Sequence, residues 1–288
     1  MSIAVVQSIS ELRRALEPVW CSETLLGFVP TMGALHEGHA ALIRRASREC
    51  GFTAVSLFVN PIQFDRAEDY ELYARTLTED IELCRACGAR LVFAPSVEEM
   101  YPTASLTHVQ VSGVTDHLCG EYRGPHFRGV ATVVAKLFHL LQPARAYFGE
   151  KDAQQLAVVR RMVADLNFPV EIVGVPTVRE ADGLALSSRN RRLSPEERRD
   201  APALYRALLA ARAAVERGAG PVEARQDALA VLASIPSIRV EYLEVVDDET
   251  QTPVSSIGGP VRVSAAVWLG ATRLIDNTTA SPPRPGHS

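Results

Sequence analysis

The stretch Leu25-Leu26-Gly27-Phe28-Val29-Pro30-Thr31-Met32-Gly33-Ala34-Leu35-His36-Glu37-Gly38-His39 runs from an apolar segment through a glycine-containing turn into two histidines. Leu25 to Val29 reads as a buried strand, and Ala40-Ala41-Leu42-Ile43-Arg44-Arg45-Ala46 continues with helical spacing. A strand-to-helix turn aims backbone N–H groups at the helix N-terminus, where phosphate is well held. His36 and His39 lie three positions apart, on one face of the first helical turn. As neutral or charged donors they can meet a triphosphate. Nucleotidyl transfer needs such donors, because charge develops on the α-phosphate and on the departing pyrophosphate. Competing readings are a capping or core histidine and a zinc ligand. The zinc reading is the weaker, since the pair is not His-Glu-x-x-His and no Cys or His cluster lies near it.

Outward from this stretch, strand-like and helical runs alternate. Strands are expected at 24–30, 53–60, 89–95, 145–149 and 170–175, and helices at 10–18, 39–50, 69–87, 129–141 and 152–166. Alternation with short connections predicts βαβ units around a parallel sheet. The expected fold is therefore α/β, a Rossmann-like nucleotide-binding domain over residues 1–177. A smaller α+β domain is expected over 178–277, with helices at 194–217 and 221–234 and strands at 239–246 and 261–269. Ser194 and Pro195 suit the N-cap and first position of the former helix. Residues 107–111, Thr-His-Val-Gln-Val, alternate in polarity and predict an outlying strand. The Pro-rich tail 278–288 is expected to be disordered.

With 288 residues, 47% of them hydrophobic and 22% charged, the chain can bury a sizeable core. A net charge of −4 and the lack of a basic stripe with interleaved aromatics exclude a dedicated nucleic-acid binder. No apolar run approaches the ~20 residues of a membrane span. The five cysteines, Cys21, Cys50, Cys84, Cys87 and Cys119, predict reduced thiols and a cytoplasmic protein. Cys84-x-x-Cys87 falls in a helical pattern, where packing is the expected role.

Further polar clusters follow strands, where parallel sheets place phosphate sites. Asn60-Pro61-Ile62-Gln63 leaves two amides at a strand end; turn chemistry explains Asn60-Pro61 equally well. Gly149-Glu150-Lys151-Asp152 opens a helix, with Lys151 a phosphate partner and Asp152 a cap or a ribose ligand. Leu186-Ser187-Ser188-Arg189-Asn190 combines two hydroxyls and a guanidinium, suited to β- and γ-phosphates or to a solvated linker. Arg123-Gly124-Pro125-His126-Phe127 is a donor loop or an ordinary turn.

Together these segments resemble the pantothenate synthetase (pantoate–β-alanine ligase) family of the His-x-Gly-His nucleotidyltransferases. The matching stretches are Val29 to His39, Phe58 to Phe64, Tyr147 to Gln155, Val175 to Glu180 and Gly183 to Asn190, in order. The resemblance spans about residue 3 to about residue 276. It implies a core related to class I aminoacyl-tRNA synthetases, a lid-like C-terminal domain and a homodimer. It also implies a two-step ligation with ATP and Mg²⁺: pantoate forms pantoyl adenylate and pyrophosphate, then β-alanine displaces AMP. Residue by residue, it implies that Met32, Gly33, Ala34, Leu35, His36, Glu37, Gly38 and His39 bind ATP, with His39 the catalytic proton donor and His36 assisting. Gly149, Glu150, Lys151, Asp152 and Val178 match further nucleotide contacts; Leu186, Ser187, Ser188 and Arg189 match a mobile phosphate loop. Lys151 and Arg189 join the histidines as catalytic candidates, while Gln63 and Gln155 match pantoate and β-alanine ligands. The Mg²⁺ ligands are not indicated. Two positions depart from the family: Leu186 replaces a usual Met, and Arg123-Gly124-Pro125 stands where Arg-Pro-x is usual.

Overall fold

The computed structural model describes residues 3–283. Six strands among them are β1 (Ala4–Val6), β2 (Leu26–Thr31), β3 (Phe52–Leu57), β4 (Leu91–Phe93), β5 (Arg145–Gly149) and β6 (Glu171–Val175). They form one sheet in the order β1-β4-β3-β2-β5-β6, every pair parallel. From β2 the chain builds β3 and β4 to one side and β5 and β6 to the other. Ligands of open parallel sheets collect beyond the carboxyl ends at such a reversal. Those ends are Thr31 and Gly149, where the histidine turn and the Gly149–Asp152 cluster begin.

Leu26, Gly27, Phe28 and Val29 are all buried, as expected of a central parallel strand covered on both faces. The helix Glu37–Glu49 buries Ala40, Ile43 and Ala46, spaced three apart, with Leu42. They join Val29, Val55, Val92 and Tyr147 in one core. The helix thus gets its direction from this apolar face, and its first turn is carried to the end of β2.

A second sheet is antiparallel, in the order β7 (Ile238–Asp247), β8 (Val261–Leu269) and β9 (Thr272–Ala280). The helices Ala203–Glu216 and Pro221–Ala233 pack on it through Leu204, Leu208, Val215, Ala228 and Leu232, facing Leu243, Val263 and Val267.

Four expectations are corrected. Residues 107–111 form no strand; the Val109 N–H donates instead to Thr132 Oγ1 at 3.0 Å. The helix read over 69–87 is two, Ala67–Glu71 and Leu77–Ala86; between them the Arg75 guanidinium caps the carbonyls of Tyr70, Glu71 and Tyr73. The helix read over 194–217 is also two, Pro195–Asp200 and Ala203–Glu216, because Pro202 has no N–H to continue it. Ser194 does cap the first, in a reciprocal box with Glu197. Of the tail read from 278, Thr278 to Ala280 belong to β9, and residues 284–288 lie outside the described residues.

The chain divides into two compact units that are not continuous in sequence. One holds the chain up to Val111, Arg123–Glu150 and Val158–Pro176; the other holds Ser112–Tyr122, Lys151–Ala157 and the chain from Thr177. A single boundary at 177 therefore misplaces Lys151, Asp152 and Gln155, which belong to the second unit.

Candidate active site

In the first unit the histidine turn is closed by its own side chains. His36 is the N-cap of the helix Glu37–Glu49, and its Nδ1 accepts the Gly38 N–H at 3.1 Å. His39 Nδ1 accepts the His36 N–H at 3.3 Å. The two rings, 4.2 Å apart, make a capping box from residues that rarely build one. Upstream, Thr31 Oγ1 accepts the Gly33 N–H at 3.3 Å. The buried Asp80 carboxylate accepts from Ala34 N at 3.0 Å and Leu35 N at 2.7 Å, holding Ala34 at a left-handed φ of 51°.

This geometry changes the expected chemistry. The amides of Gly33, Ala34, Leu35, His36 and Gly38 have acceptors within the protein, so they are not the anion cradle expected of this turn. An imidazole whose Nδ1 accepts a backbone hydrogen carries its proton on Nε2 when neutral. His36 and His39 are thereby fixed as Nε2–H donors. Glu37, in contrast, is exposed and pairs with Arg44.

Gln63 is held from three sides. Its Oε1 accepts from Asn60 Nδ2 at 3.0 Å and its Nε2 donates to Met32 Sδ at 2.8 Å. Its carbonyl oxygen lies 2.7 Å from His126 Nδ1. The Arg123 guanidinium, a donor only, approaches His126 Nε2 at 2.9 Å, so the proton of His126 sits on Nδ1 and is given to Gln63. Asn60 Nδ2 also donates to the Gly129 carbonyl at 3.2 Å, and Asn60 Oδ1 accepts from Tyr101 Oη at 2.9 Å. Burial pushes the Tyr101 hydroxyl up to about 12, keeping it a donor. Gly124 takes a φ of 46° and Pro125 becomes the N-cap of the helix His126–Leu141, so the unusual Gly-Pro order is accommodated here. Gly149 ends β5 with open space where a Cβ would stand. Glu150 follows it, half-buried.

In the second unit, Lys151, Ser187 and Arg189 line one pocket together with Asn190, Arg273 and Asp276. Val178 and Leu186 meet through a backbone hydrogen bond, Leu186 N–H to the Val178 carbonyl at 3.0 Å, independent of the side chain at 186. Ser187 Oγ accepts from the Arg189 N–H at 3.2 Å, and Ser188 starts the short 3₁₀ turn Ser188–Arg192. Asp152 lies 3.9 Å from Lys151 Nζ. Gln155 is half-buried on the helix Ala153–Asp165.

The model of the family described as pantoate-beta-alanine ligase matches residues 4–279. The chain belongs to that family. Pantothenate synthetase of a Thermus thermophilus strain is 54% identical over 278 residues, covering 96% of this chain and 99% of the relative. A crystal structure of pantothenate synthetase from the same organism superposes with a TM-score of 0.91 at 53% identity, covering 96% of this chain and 99% of that one. The pantoate-beta-alanine ligase of Francisella tularensis, solved in complex with beta-gamma ATP and beta-alanine, gives a TM-score of 0.80 at 30% identity, with 96% and 97% covered.

Within the family's motifs, sequence reasoning left several supporting residues without a role. Asp80 acts on the turn from 46 positions away, and no local pattern marks it; His126, read within a donor loop or an ordinary turn, acts on Gln63 from 63 positions away. Asn60 was visible at its strand end, but its amide is spent on Gln63 and Gly129. Cys84 and Cys87 are buried, and burial pushes the Cys84 thiol up to about 12, which keeps it inert. Among the described residues no helix is long and apolar enough to cross a membrane.

Proposed function

We propose that this chain condenses pantoate with β-alanine in two steps, with ATP cleaved to AMP and pyrophosphate. A pantoate carboxylate oxygen bonds to the α-phosphorus as the bond to the β-phosphate breaks, giving pantoyl adenylate. The β-alanine amine then bonds to the acyl carbon, AMP leaves with its oxygen, and the amine loses a proton. Family membership over residues 4–279 supports the reaction, and the observation that carries the mechanism is that the Nδ1 atoms of His36 and His39 each accept a backbone N–H, which leaves Nε2 as the donor of the neutral ring. Acyl adenylation needs alignment and charge stabilisation more than covalent help.

We assign His39 and His36 to the phosphates as hydrogen-bond donors, which revises the expected proton transfer from His39. Lys151 and Arg189 oppose the departing pyrophosphate. Gln63, oriented through Asn60, Met32 and His126, holds pantoate, and Gln155 is its second ligand. Mg²⁺ would neutralise the phosphate oxygens. His36, His39 and Gln63 belong to the first unit, and Lys151, Gln155 and Arg189 to the second, whose C-terminal part takes the role of a lid. We further propose a homodimer in a reducing cytoplasm. The free cysteines support the compartment, whereas the dimer now rests on the family resemblance, since 107–111 offers no strand edge. Sedimentation at micromolar concentration tests the dimer.

The decisive experiment is exchange of labelled pyrophosphate into ATP. Exchange that needs pantoate but not β-alanine is the expected result. Exchange that needs β-alanine would sink the two-step order.

A further inference from the structure

Strand β9 carries two consecutive buried polar residues, Asp276 and Asn277. Neighbours on a strand point to opposite faces, so each reaches a different part of the second unit. The Asp276 carboxylate accepts both arms of the Arg179 guanidinium, at 2.6 and 3.0 Å. Arg179 also donates to the carbonyls of Gly183, at 3.0 Å, and Asn277, at 3.3 Å, and lies 3.6 Å from the centre of the Tyr205 ring. The Asn277 Nδ2 donates to the Lys151 carbonyl at 2.9 Å. Arg262 donates to Asn277 Oδ1, which fixes the amide with its N–H side toward Lys151.

Arg179 belongs to a small hairpin that runs directly into Ser187-Ser188-Arg189. It bridges Ala185, and its neighbours close the hairpin through Glu180 N–H to the Leu184 carbonyl at 2.8 Å and Leu186 N–H to the Val178 carbonyl at 3.0 Å. At the tip, Gly183 has a φ of 92°, and a Cβ there would lie 2.6 Å from the Tyr205 ring. The hairpin is therefore pressed on Tyr205 and pinned to β9 by one guanidinium.

We propose that Arg179, Asp276 and Asn277 are positioning residues for adenylate formation: the Asp276–Asn277 pair fixes Lys151 through its backbone and the Ser187–Arg189 loop through Arg179. The inference rests on the reading of Lys151 and Arg189 as phosphate groups. A forked pair whose carboxylate is 2% exposed behaves unlike a surface ion pair. Removing one partner strands the other's charge.

The two half-reactions separate positioning from mere stability. Lys151 and Arg189 act on leaving pyrophosphate, which is absent from the second step. Asp276→Asn and Asn277→Ala are each assayed for pantoate-dependent pyrophosphate exchange and for conversion of supplied pantoyl adenylate with β-alanine, alongside thermal unfolding. The expected result is exchange reduced about 10- to 100-fold, with the second half-reaction unchanged per folded molecule. Equal losses in both half-reactions, or undiminished exchange, overturn the proposal. Asn277→Ala leaves the Arg179–Asp276 fork in place, so it remains decisive if Asp276→Asn does not fold. Absence of pantoate-dependent exchange in the wild type would instead overturn the underlying reading of function.

Discussion

The histidine turn after β2 and the loop from Val178 to Arg189 hold the groups proposed to meet phosphate in shape by opposite means. The turn is nearly self-sufficient: His36 and His39 find their partners two or three positions away, and Asp80 closes the remainder. The loop is held from afar, with Arg179 reaching across 97 positions to Asp276 and Lys151 tied across 126 to Asn277. A ring that must present one N–H can be set by a helix cap. Flexible cations on a loop need their backbone fixed by the fold beneath them.

Asparagine and glutamine test the two duties of His39. His39→Asn keeps an acceptor near Nδ1 and loses the Nε2–H, so pyrophosphate exchange should fall on the order of 10²–10³ with little change in melting temperature. His39→Gln should keep the box, because a glutamine at N3 can accept the His36 N–H through Oε1, and should retain more exchange through its Nε2 hydrogens. An Asn variant that melts early yet exchanges normally would make the ring a helix cap alone. On the other side of the comparison, Arg189→Ala should slow single-turnover adenylation on the order of 10²–10³ while the KM for pantoate stays near the wild type. Unchanged adenylation removes Arg189 from the mechanism.

Asp80→Asn is the sharpest stability test of the turn. An amide accepts from one of the two N–H groups and turns its own NH₂ on the other. The urea midpoint should shift by the equivalent of about 1–3 kcal/mol. For the loop, Gly183→Ala should cost about 1–2 kcal/mol through its left-handed φ and the Tyr205 contact, with exchange lowered as well. A neutral Gly183→Ala would mean that the hairpin tip is free to move.

Acid gives the smallest effect, and it acts beneath the loop. In the second unit burial pushes the Glu241 carboxyl up, but hydrogen bonds from Arg273 and Trp268 outweigh it and hold the group below its ordinary 4.5. Its folded value is below its unfolded one, so its stabilisation is present above 4.5 and is lost as pH falls through the folded value. Urea midpoints between about pH 3 and 6 should show this as about 1 kcal/mol at most, absent in Glu241→Gln.

Much of this was legible in the sequence, and the gaps have physical causes. The βαβ alternation exposed five of the six parallel strands; β1, at the sheet edge with its first two residues exposed, carries no such signal. Strand β9 was hidden for a different reason. Its sequence Thr-Arg-Leu-Ile-Asp-Asn-Thr-Thr-Ala breaks alternation at Asp276 and Asn277, the residues buried to serve the loop. The alternation at 107–111 is real, but its backbone turns to Thr132 instead of another strand. His36 and His39 were recognisable as a pair, whereas their tautomer depends on cap geometry that spacing alone does not reveal.

The tie between Asn277 and Lys151 also sets an order on the making of the molecule. A nascent chain grows from its N-terminus, and a long loop must close before a distant contact forms. The Lys151 carbonyl emerges from the ribosome 126 residues before its donor. The second unit, including Ser112–Tyr122 and Lys151–Ala157, waits for β9, its last strand, to be synthesised. A gene fragment beginning at 178 would lack both inserted segments, and a message truncated before codon 272 would leave the Lys151 carbonyl without Asn277.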